Sequence, residues 1–513
     1  MTGTDAHRIV RPMLEVTTGT APTEVEATRP ILRWLPRPMA LFVTALGAVL
    51  FAITLAKGVQ DPDYFWHVTT GELIARTGSI PTTDPYSFTW AGRPWTLHEW
   101  LSELAMHRLV TGLGEVPTLA VFGLLPVAIF ALLGFVLSRH GTGVLAFGLA
   151  SLPAALVLVP YLTLRPQAIS WFLLVALIGI LLSLQPRHAR WALVLVPFFA
   201  IWANLHGLWV VGLGVVAAYS LFTLLGRTPM AAARGWMAAG AFGAIAATAL
   251  TPAGLSGILY PLRYVNAGDW GLANIAEWQS PDFHEPAHLA LMALIVLIGL
   301  NGGRATPGWL VLLSWTGVAM ALLALRNAPI AAVLAMPTLA LGFQDRLDAW
   351  LGRRRRQRPP SVQLARRLME STLVLVIVIA ALVITLPRSP GVDPDPTRFP
   401  VPGVEELLAV RPDARTFAEY GWGGYVISRI FPHGGRVFVD GRNDMYDESI
   451  LETYSAIRAA NGDWREELDR HEVEAILLPP SAPLVRGSAQ DAGWCEAYRD
   501  GLQVLLLRSC RGA

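Results

Sequence analysis

The sequence predicts an all-α polytopic membrane domain of about eleven transmembrane helices, followed by a small extracytoplasmic α/β domain. Three observations carry this. The 513 residues are 53% hydrophobic and only 15% charged, with a mean hydropathy of +0.45, too little polar side chain to coat a soluble fold of that length. Apolar runs approaching bilayer length recur from Met39 to Leu386. From about Arg398 they stop, and short β-type runs alternate with helical ones.

The apolar segments are Met39–Gly58, Pro117–Leu137, Gly143–Leu162, Gln167–Leu184, Trp191–Trp202, Leu208–Leu225, Gly235–Leu250, Ala287–Leu300, Trp309–Leu325, Pro329–Leu341 and Leu373–Leu386. Arg33 and Arg37 precede the first. Arg139, Arg187, Arg190, Arg227, Arg234, Arg304 and the run Arg353–Arg356 fall on alternate connections. Positive charge marks the cytoplasmic side. The N-terminus is therefore expected inside, and the loop after the first helix, the loop around Trp270–Glu285 and everything after Leu386 outside. Residues 1–36 read as a disordered cytoplasmic tail, 37–390 as the membrane domain with a first outer loop at 59–116, and 391–513 as the extracytoplasmic domain. In that last domain Arg436–Asp440 and Val473–Leu478 are strand-like, and Ile450–Ala460 and Trp464–His471 helical.

Basic charge here is nearly all arginine, with Lys57 the single lysine, and it gives no reason to expect nucleic acid as a partner. Cys495 and Cys510 both fall in the non-cytosolic part, where a disulfide is allowed but not implied. No internal repeat shows at periods of 20 to 50 residues.

Ionisable groups avoid helix centres and collect in the two outer loops, which places the chemistry at the outer membrane surface. The first loop holds Asp61, Asp63, Trp66, His67, His98 and Glu99; the second holds Glu277. Asp63 can cap a short interfacial helix, and Pro94 suits the first turn of another that would align Trp95, His98, Glu99 and Ser102. His98-Glu99 lacks the second histidine of a zinc-binding His-Glu-x-x-His helix, since Ser102 stands there. Two carboxylates from one loop, Asp61 and Asp63, are too few ligands to predict Mg or Mn. No metal or cofactor is expected.

Arg165, Arg263 and Arg326 lie at outer helix ends, against the charge rule. A planar guanidinium pairs bidentately with phosphate oxygens, so a lipid-linked phosphate is their natural partner. An ion pair with a loop carboxylate is the plainer alternative. Asn204 and His206 add an amide and an imidazole near the same plane.

With Asp61-x-Asp63-x-x-Trp66-His67 and His98-Glu99-Trp100 on interfacial helices, the chain resembles the GT-C glycosyltransferases, in the bacterial branch of protein mannosyltransferases and aminoarabinose transferases. The resemblance covers roughly residues 39 to 390. It implies an inverting transfer of a hexosyl or pentosyl unit from a polyprenyl-phosphate donor, at the outer face of a bacterial plasma membrane. It also implies a loop aspartate, Asp63 first and Asp61 or Glu99 next, as general base, with arginines on the donor phosphate. The loop reads Asp-Pro-Asp, where protein mannosyltransferases carry an adjacent Asp-Glu, so the acceptor stays open. The C-terminal stretch Tyr420-Gly-Trp-Gly-Gly-Tyr425 with Val439-Asp-Gly-Arg442 looks like a domain that accompanies such proteins. Its glycines are read as turn formers and Asp440 as a turn cap. Rival readings are a transporter or flippase of an anionic lipid-linked substrate, which usually shows repeats and broken helices with midplane polar groups, and an inactive envelope scaffold.

Overall fold

A computed structural model describes residues 37–260, 269–301, 306–351, 360–385, 393–443, 445–488 and 491–508. The N-terminal tail, Arg263, Arg304, the run Arg353–Arg356 and Cys510 lie outside the described residues.

Helix α1 (Pro38–Lys57) leads into the first loop, which carries α2 (Pro62–Thr77) and α3 (Trp100–Leu113). There follow α4 (Glu115–Arg139), α5 (Val144–Leu158), α6 (Gln167–Ser183), α7 (Leu195–Leu205), α8 (Trp209–Leu224) and α9 (Arg234–Ala247). The second loop holds the short α10 (Gly254–Leu259) and α11 (Asp269–Asn274). Helices α12 (Leu289–Leu300), α13 (Gly308–Leu323), α14 (Ala328–Leu351) and α15 (Pro360–Thr385) complete the bundle, so each predicted apolar segment carries a helix. Among the described residues, 5 helical stretches are long and apolar enough to cross a membrane alone, and α8 with Pro229–Ala247 forms a further pair bent by 79°. Gln167–Ser183, Pro286–Leu300 and Gly308–Leu323 are shorter apolar helices.

Prolines 126, 153 and 337 sit inside α4, α5 and α14, which neighbouring helices make tolerable in a lipid-embedded bundle. The bundle's core runs along α14, where every residue from Ile330 to Met336 is at most 1% exposed. A helix apolar on all sides belongs at such a centre.

The C-terminal unit is a 5-stranded sheet flanked by helices α16 (Val401–Val410), α17 (Gly423–Ile430), α18 (Glu448–Arg458) and α19 (Trp464–Arg470). Its strands are β1 (Arg415–Ala418), β2 (Arg436–Val437), β3 (Ala475–Leu478), β4 (Trp494–Arg499) and β5 (Val504–Arg508), in the order β2-β1-β3-β5-β4. β1 runs parallel to β2 and β3, while β3–β5 and β5–β4 are antiparallel.

This unit does not stand apart from the first loop. Ser87 bridges Val437 in parallel, with Phe88 N donating to Val437 O at 3.0 Å and Val437 N donating to Tyr86 O at 3.1 Å, so the loop extends the sheet at its β2 edge. Phe65 of α2 packs edge-on against Phe399 and Tyr425, with centroids 5.0 and 5.1 Å away. Tyr64, Trp66, Tyr86 and Trp95 share one hydrophobic core with Phe417, Phe438 and Leu477.

Two local expectations are corrected. The N-cap of α2 is Asp61, whose carboxylate accepts from Asp63 N at 3.0 Å; Asp63 lies in the first turn, behind Pro62. The second interfacial helix starts at Trp100, because Pro94 is held in an extended bridge to Thr83 and Trp95 N donates to Thr82 O. Proline's fixed φ suits either setting, and the bridge to residues 82–84 decides.

Candidate functional site

Capping by Asp61 turns the start of α2 toward the loop before α6, where Arg165 stands. Arg165 Nε meets the Asp61 carboxylate, its Nη2 lies 3.1 Å from Asp63 Oδ2, and its Nη1 lies 3.3 Å from Glu277 Oε2. One cation thus gathers three carboxylates from two loops, and its side chain is only 17% exposed. Asp63 also accepts from Trp66 Nε1 at 3.1 Å, one helical turn on. Burial raises the Asp63 carboxyl to about 7; Arg165 and the Trp66 bond pull it down, and Asp61 and Glu277 push it up. Asp63 is the group of this cluster poised to take a proton near neutrality.

Beside this cluster lies a second one built on Glu99, the residue that opens α3. Glu99 Oε1 is 3.2 Å from His206 Nε2 and 3.3 Å from His98 Nε2, and Oε2 is 3.6 Å from His67 Nε2. His67 Nδ1 reaches Glu103 Oε1 at 3.2 Å, in the buried interior between α2 and α3. Burial works to raise Glu99, but the imidazoles of His206, His98 and His67 outweigh it and hold the carboxyl below its usual range. Burial lowers His67 and His206 to about 4, against the pull of Glu99. Near neutral pH this leaves an ionised Glu99 carboxylate beside the neutral imidazoles of His67 and His206.

These clusters form the floor of one cavity of about 270 Å³. Asp63, Trp66 and His67 of α2, His98 and Glu99 before α3, Arg165 and Gln167 at the start of α6, and His206 after α7 all line it. Glu277 and Trp278 come from the second loop, and Arg326 precedes α14 with its guanidinium carbon 4.9 Å from the Trp278 ring centroid. The structure thus brings together most of the sequence-derived candidates. Asp61 is not on the cavity wall; it holds Arg165 and the Asp63 amide, two residues that are. Asn204 is not on its wall: its Oδ1 accepts from Trp100 Nε1 at 2.7 Å, and its Nδ2 donates to the carbonyls of Ala200 and Leu250, both at 2.8 Å. Arg263 lies outside the described residues. Arg165 takes the carboxylate alternative rather than standing open to a phosphate.

The remaining wall was not foreseen. Tyr420, Gly421, Gly424, Gly441, Arg442 and Asn443 of the C-terminal unit all line the cavity. Gly424 and Gly441 serve close approach, while a Cβ at Gly421 would meet nothing within 4 Å. A Cβ at Gly424 would lie 2.2 Å from Pro62 O, and one at Gly441 2.6 Å from Asp63 Oδ1. Asp440 caps its turn, accepting from Arg442 N at 3.0 Å, and does more: it accepts from Arg442 Nε at 2.8 Å and Nη2 at 2.6 Å and from Tyr446 Oη at 2.7 Å, all buried. Burial favours its neutral form, and Arg442 with those hydrogen bonds holds it below the usual carboxylate range.

Asp61 and Asp63 converge on Arg165, which occupies the place a cation would take between them. A metal-like geometry falls elsewhere, on His67, Glu99 and Glu103, whose ligand atoms all lie within 4.8 Å of one another. One imidazole and two carboxylates are a donor set that suits a small divalent ion.

No protein-family model matches the sequence, and no curated protein matches it. Solved structures do match. AglB, an oligosaccharyltransferase from Archaeoglobus fulgidus solved with an inhibitory peptide and a dolichol-phosphate, aligns with a TM-score of 0.56 at 12% identity, over 85% of this chain and 69% of that one. ArnT from Cupriavidus metallidurans, solved with undecaprenyl phosphate, aligns with a TM-score of 0.53 at 12% identity, over 91% of this chain and 97% of that one. The arabinofuranosyltransferase AftD from Mycobacteria aligns with a TM-score of 0.52 at 14% identity, over 93% of this chain but 40% of that one. At such identities the likeness speaks for the fold: this chain has the GT-C glycosyltransferase fold, with a bundle of apolar helices and a small C-terminal sheet.

Proposed function

We propose that the protein transfers a sugar from a polyprenyl-phosphate donor to an acceptor at the extracytoplasmic face of the membrane, with inversion at the anomeric carbon. The observation that carries this reading is the shared cavity, where a carboxyl titrating at about 7, Asp63, lines the same space as a guanidinium, Arg326, and the imidazoles of His98 and His206. Two structures of the same fold hold a dolichol-phosphate and undecaprenyl phosphate. The alternating arginine loops support an outward-facing cavity, and the disulfide-bonded Cys495 suits an oxidising compartment.

Asp63 accepts the proton of the acceptor, whose oxygen then attacks the anomeric carbon. The bond from that carbon to the phosphate oxygen breaks with its electron pair, leaving polyprenyl phosphate. Arg326, which lines the cavity, stabilises the growing charge on the leaving phosphate. Arg165 holds Asp63 in place rather than binding donor, because three carboxylates already surround it.

The test uses full-length protein in nanodiscs with radiolabelled undecaprenyl-phosphate hexose and pentose. Enzyme-dependent release of undecaprenyl phosphate from one of them supports the reading. Protein that neither binds undecaprenyl phosphate nor consumes either donor refutes it.

A further inference from the structure

A transferase with a polyprenyl-phosphate donor needs a place for its acceptor, and that place must adjoin the base. A proton moves to a carboxylate only from within hydrogen-bond reach. From the C-terminal unit, Gly441 packs so closely on the Asp63 carboxylate that a Cβ there would lie 2.6 Å from Oδ1, and Tyr420 and Asn443 line the cavity beside it. Arg326 and His206 belong to other segments, before α14 and after α7. The cavity therefore has one side carrying the Arg326 guanidinium, suited to phosphate, and another, supplied by the C-terminal unit, that offers the Tyr420 ring and the Asn443 amide.

That second side is held by a buried lock. Arg442 Nη1 lies 2.8 Å from Asp84 Oδ1 of the first loop, and Nη2 lies 2.6 Å from Asp440 Oδ2 of the C-terminal unit. The rings of Tyr86 and Trp95 sit 4.9 and 4.7 Å from its guanidinium carbon. With both carboxylates engaged and 2% exposure, Arg442 has little to offer a ligand. Its effect is geometric, fixing Gly441 and Asn443, the residues on either side of it in sequence, against α2.

We infer that Tyr420 and Asn443 form the acceptor subsite, for a hydroxyl-bearing acceptor of carbohydrate type, and that Arg442 is the positioning residue that holds it against Asp63. The Tyr420 hydroxyl donates to Asn443 Oδ1, which leaves the asparagine's N–H groups as donors to acceptor oxygens beside an aromatic ring. The inference rests on the transferase reading and adds a partition to it. When water replaces the acceptor, its oxygen bonds to the anomeric carbon, its proton goes to Asp63, and polyprenyl phosphate leaves with the electron pair, giving free sugar. The subsite favours the acceptor over that reaction.

The experiment compares full-length parental protein with Asn443→Ala, Tyr420→Phe and Arg442→Lys, using labelled undecaprenyl-phosphate hexose or pentose and a short-chain alkyl glycoside as acceptor. Free sugar and glycosylated acceptor are counted separately, and undecaprenyl phosphate binding is measured in parallel. Losing the Asn443 hydrogen bond predicts an acceptor KM higher by about tenfold in Asn443→Ala, and a displaced Asn443 raises it in Tyr420→Phe and Arg442→Lys as well. Binding of undecaprenyl phosphate should stay near parental, and glycosylation of the acceptor should fall further than release of free sugar. An unchanged acceptor KM overturns the inference. So does a parallel fall of hydrolysis and transfer, which would place these residues in service of Asp63 alone, or a parental protein that hydrolyses donor but never glycosylates the alkyl glycoside. A parental protein that neither binds undecaprenyl phosphate nor consumes donor removes the transferase reading as well, and is told apart by that blank.

Discussion

Arg165 reaches Asp63 at 3.1 Å while also engaging Asp61 and Glu277, so the residue nearest the proposed base is a cation already outnumbered by carboxylates. Arg165→Gln should leave three negative groups facing one another. Breaking a buried pair costs about 3–5 kcal/mol where solvent is excluded and less at this partly open site. A lower Tm and a large loss of transfer are expected, with undecaprenyl phosphate binding nearly retained. Arg326→Gln should do the reverse, weakening undecaprenyl phosphate by about tenfold as a charge-assisted contact is lost, with little change in Tm. Equal loss of lipid binding in both variants would put phosphate on Arg165.

Transfer should rise with pH through about 7, as Asp63 ionises. Stability should respond the other way. The folded-state carboxyl is raised, so its stabilising contribution is fully present below the unfolded value of about 4 and is lost as pH climbs through about 7. In Arg165→Gln the activity midpoint should shift upward, since Arg165 is what pulls Asp63 down. A kcat/KM profile flat between pH 5 and 9 would count against Asp63 as the titrating base.

Gly424→Ala and Gly441→Ala separate two kinds of contact. A methyl at Gly424 meets the backbone carbonyl of Pro62, which cannot yield, and should loosen the C-terminal unit, seen as faster limited proteolysis after residue 390. At Gly441 it meets the Asp63 side chain, which can turn away, so transfer should fall more than stability. Identical proteolysis of both variants and parent would contradict the close docking of this unit on α2.

The proposed chemistry routes no step through a metal, because Arg165 fills the space between Asp61 and Asp63. Transfer should survive chelation by EDTA. Loss that Mg or Mn restores, and that His67→Ala abolishes, would assign an ion to His67, Glu99 and Glu103.

The bundle was legible because lipid leaves a strong mark: each apolar segment became a helix, and the ionisable groups of two distant loops met at one end. What sequence left open was which neighbour each group would choose. Asp61 and Asp63 can both cap a helix starting at Pro62, and only the fold shows Asp61 doing so. Pro94 fits a first helical turn as well as the bridge it makes with Thr83. Strands β1 and β5 are short and mostly buried, β4 is partly exposed, and none shows a clean alternation, so their pattern is weak. The wall from Tyr420 to Asn443 was hidden for a different reason. Glycine signals turns and close contacts alike, and a contact between residues 63 and 441 leaves no local trace.

The most direct measurement is release of undecaprenyl phosphate by Asp63→Asn beside the parent. Since Asp61 is the cap, this change leaves the helix end intact, and asparagine's oxygen can still accept from Trp66. The variant should fold and bind undecaprenyl phosphate, and transfer should fall by about a hundredfold or more, the scale of losing general-base assistance. An Asp63→Asn protein that turns over donor at the parental rate would contradict the account.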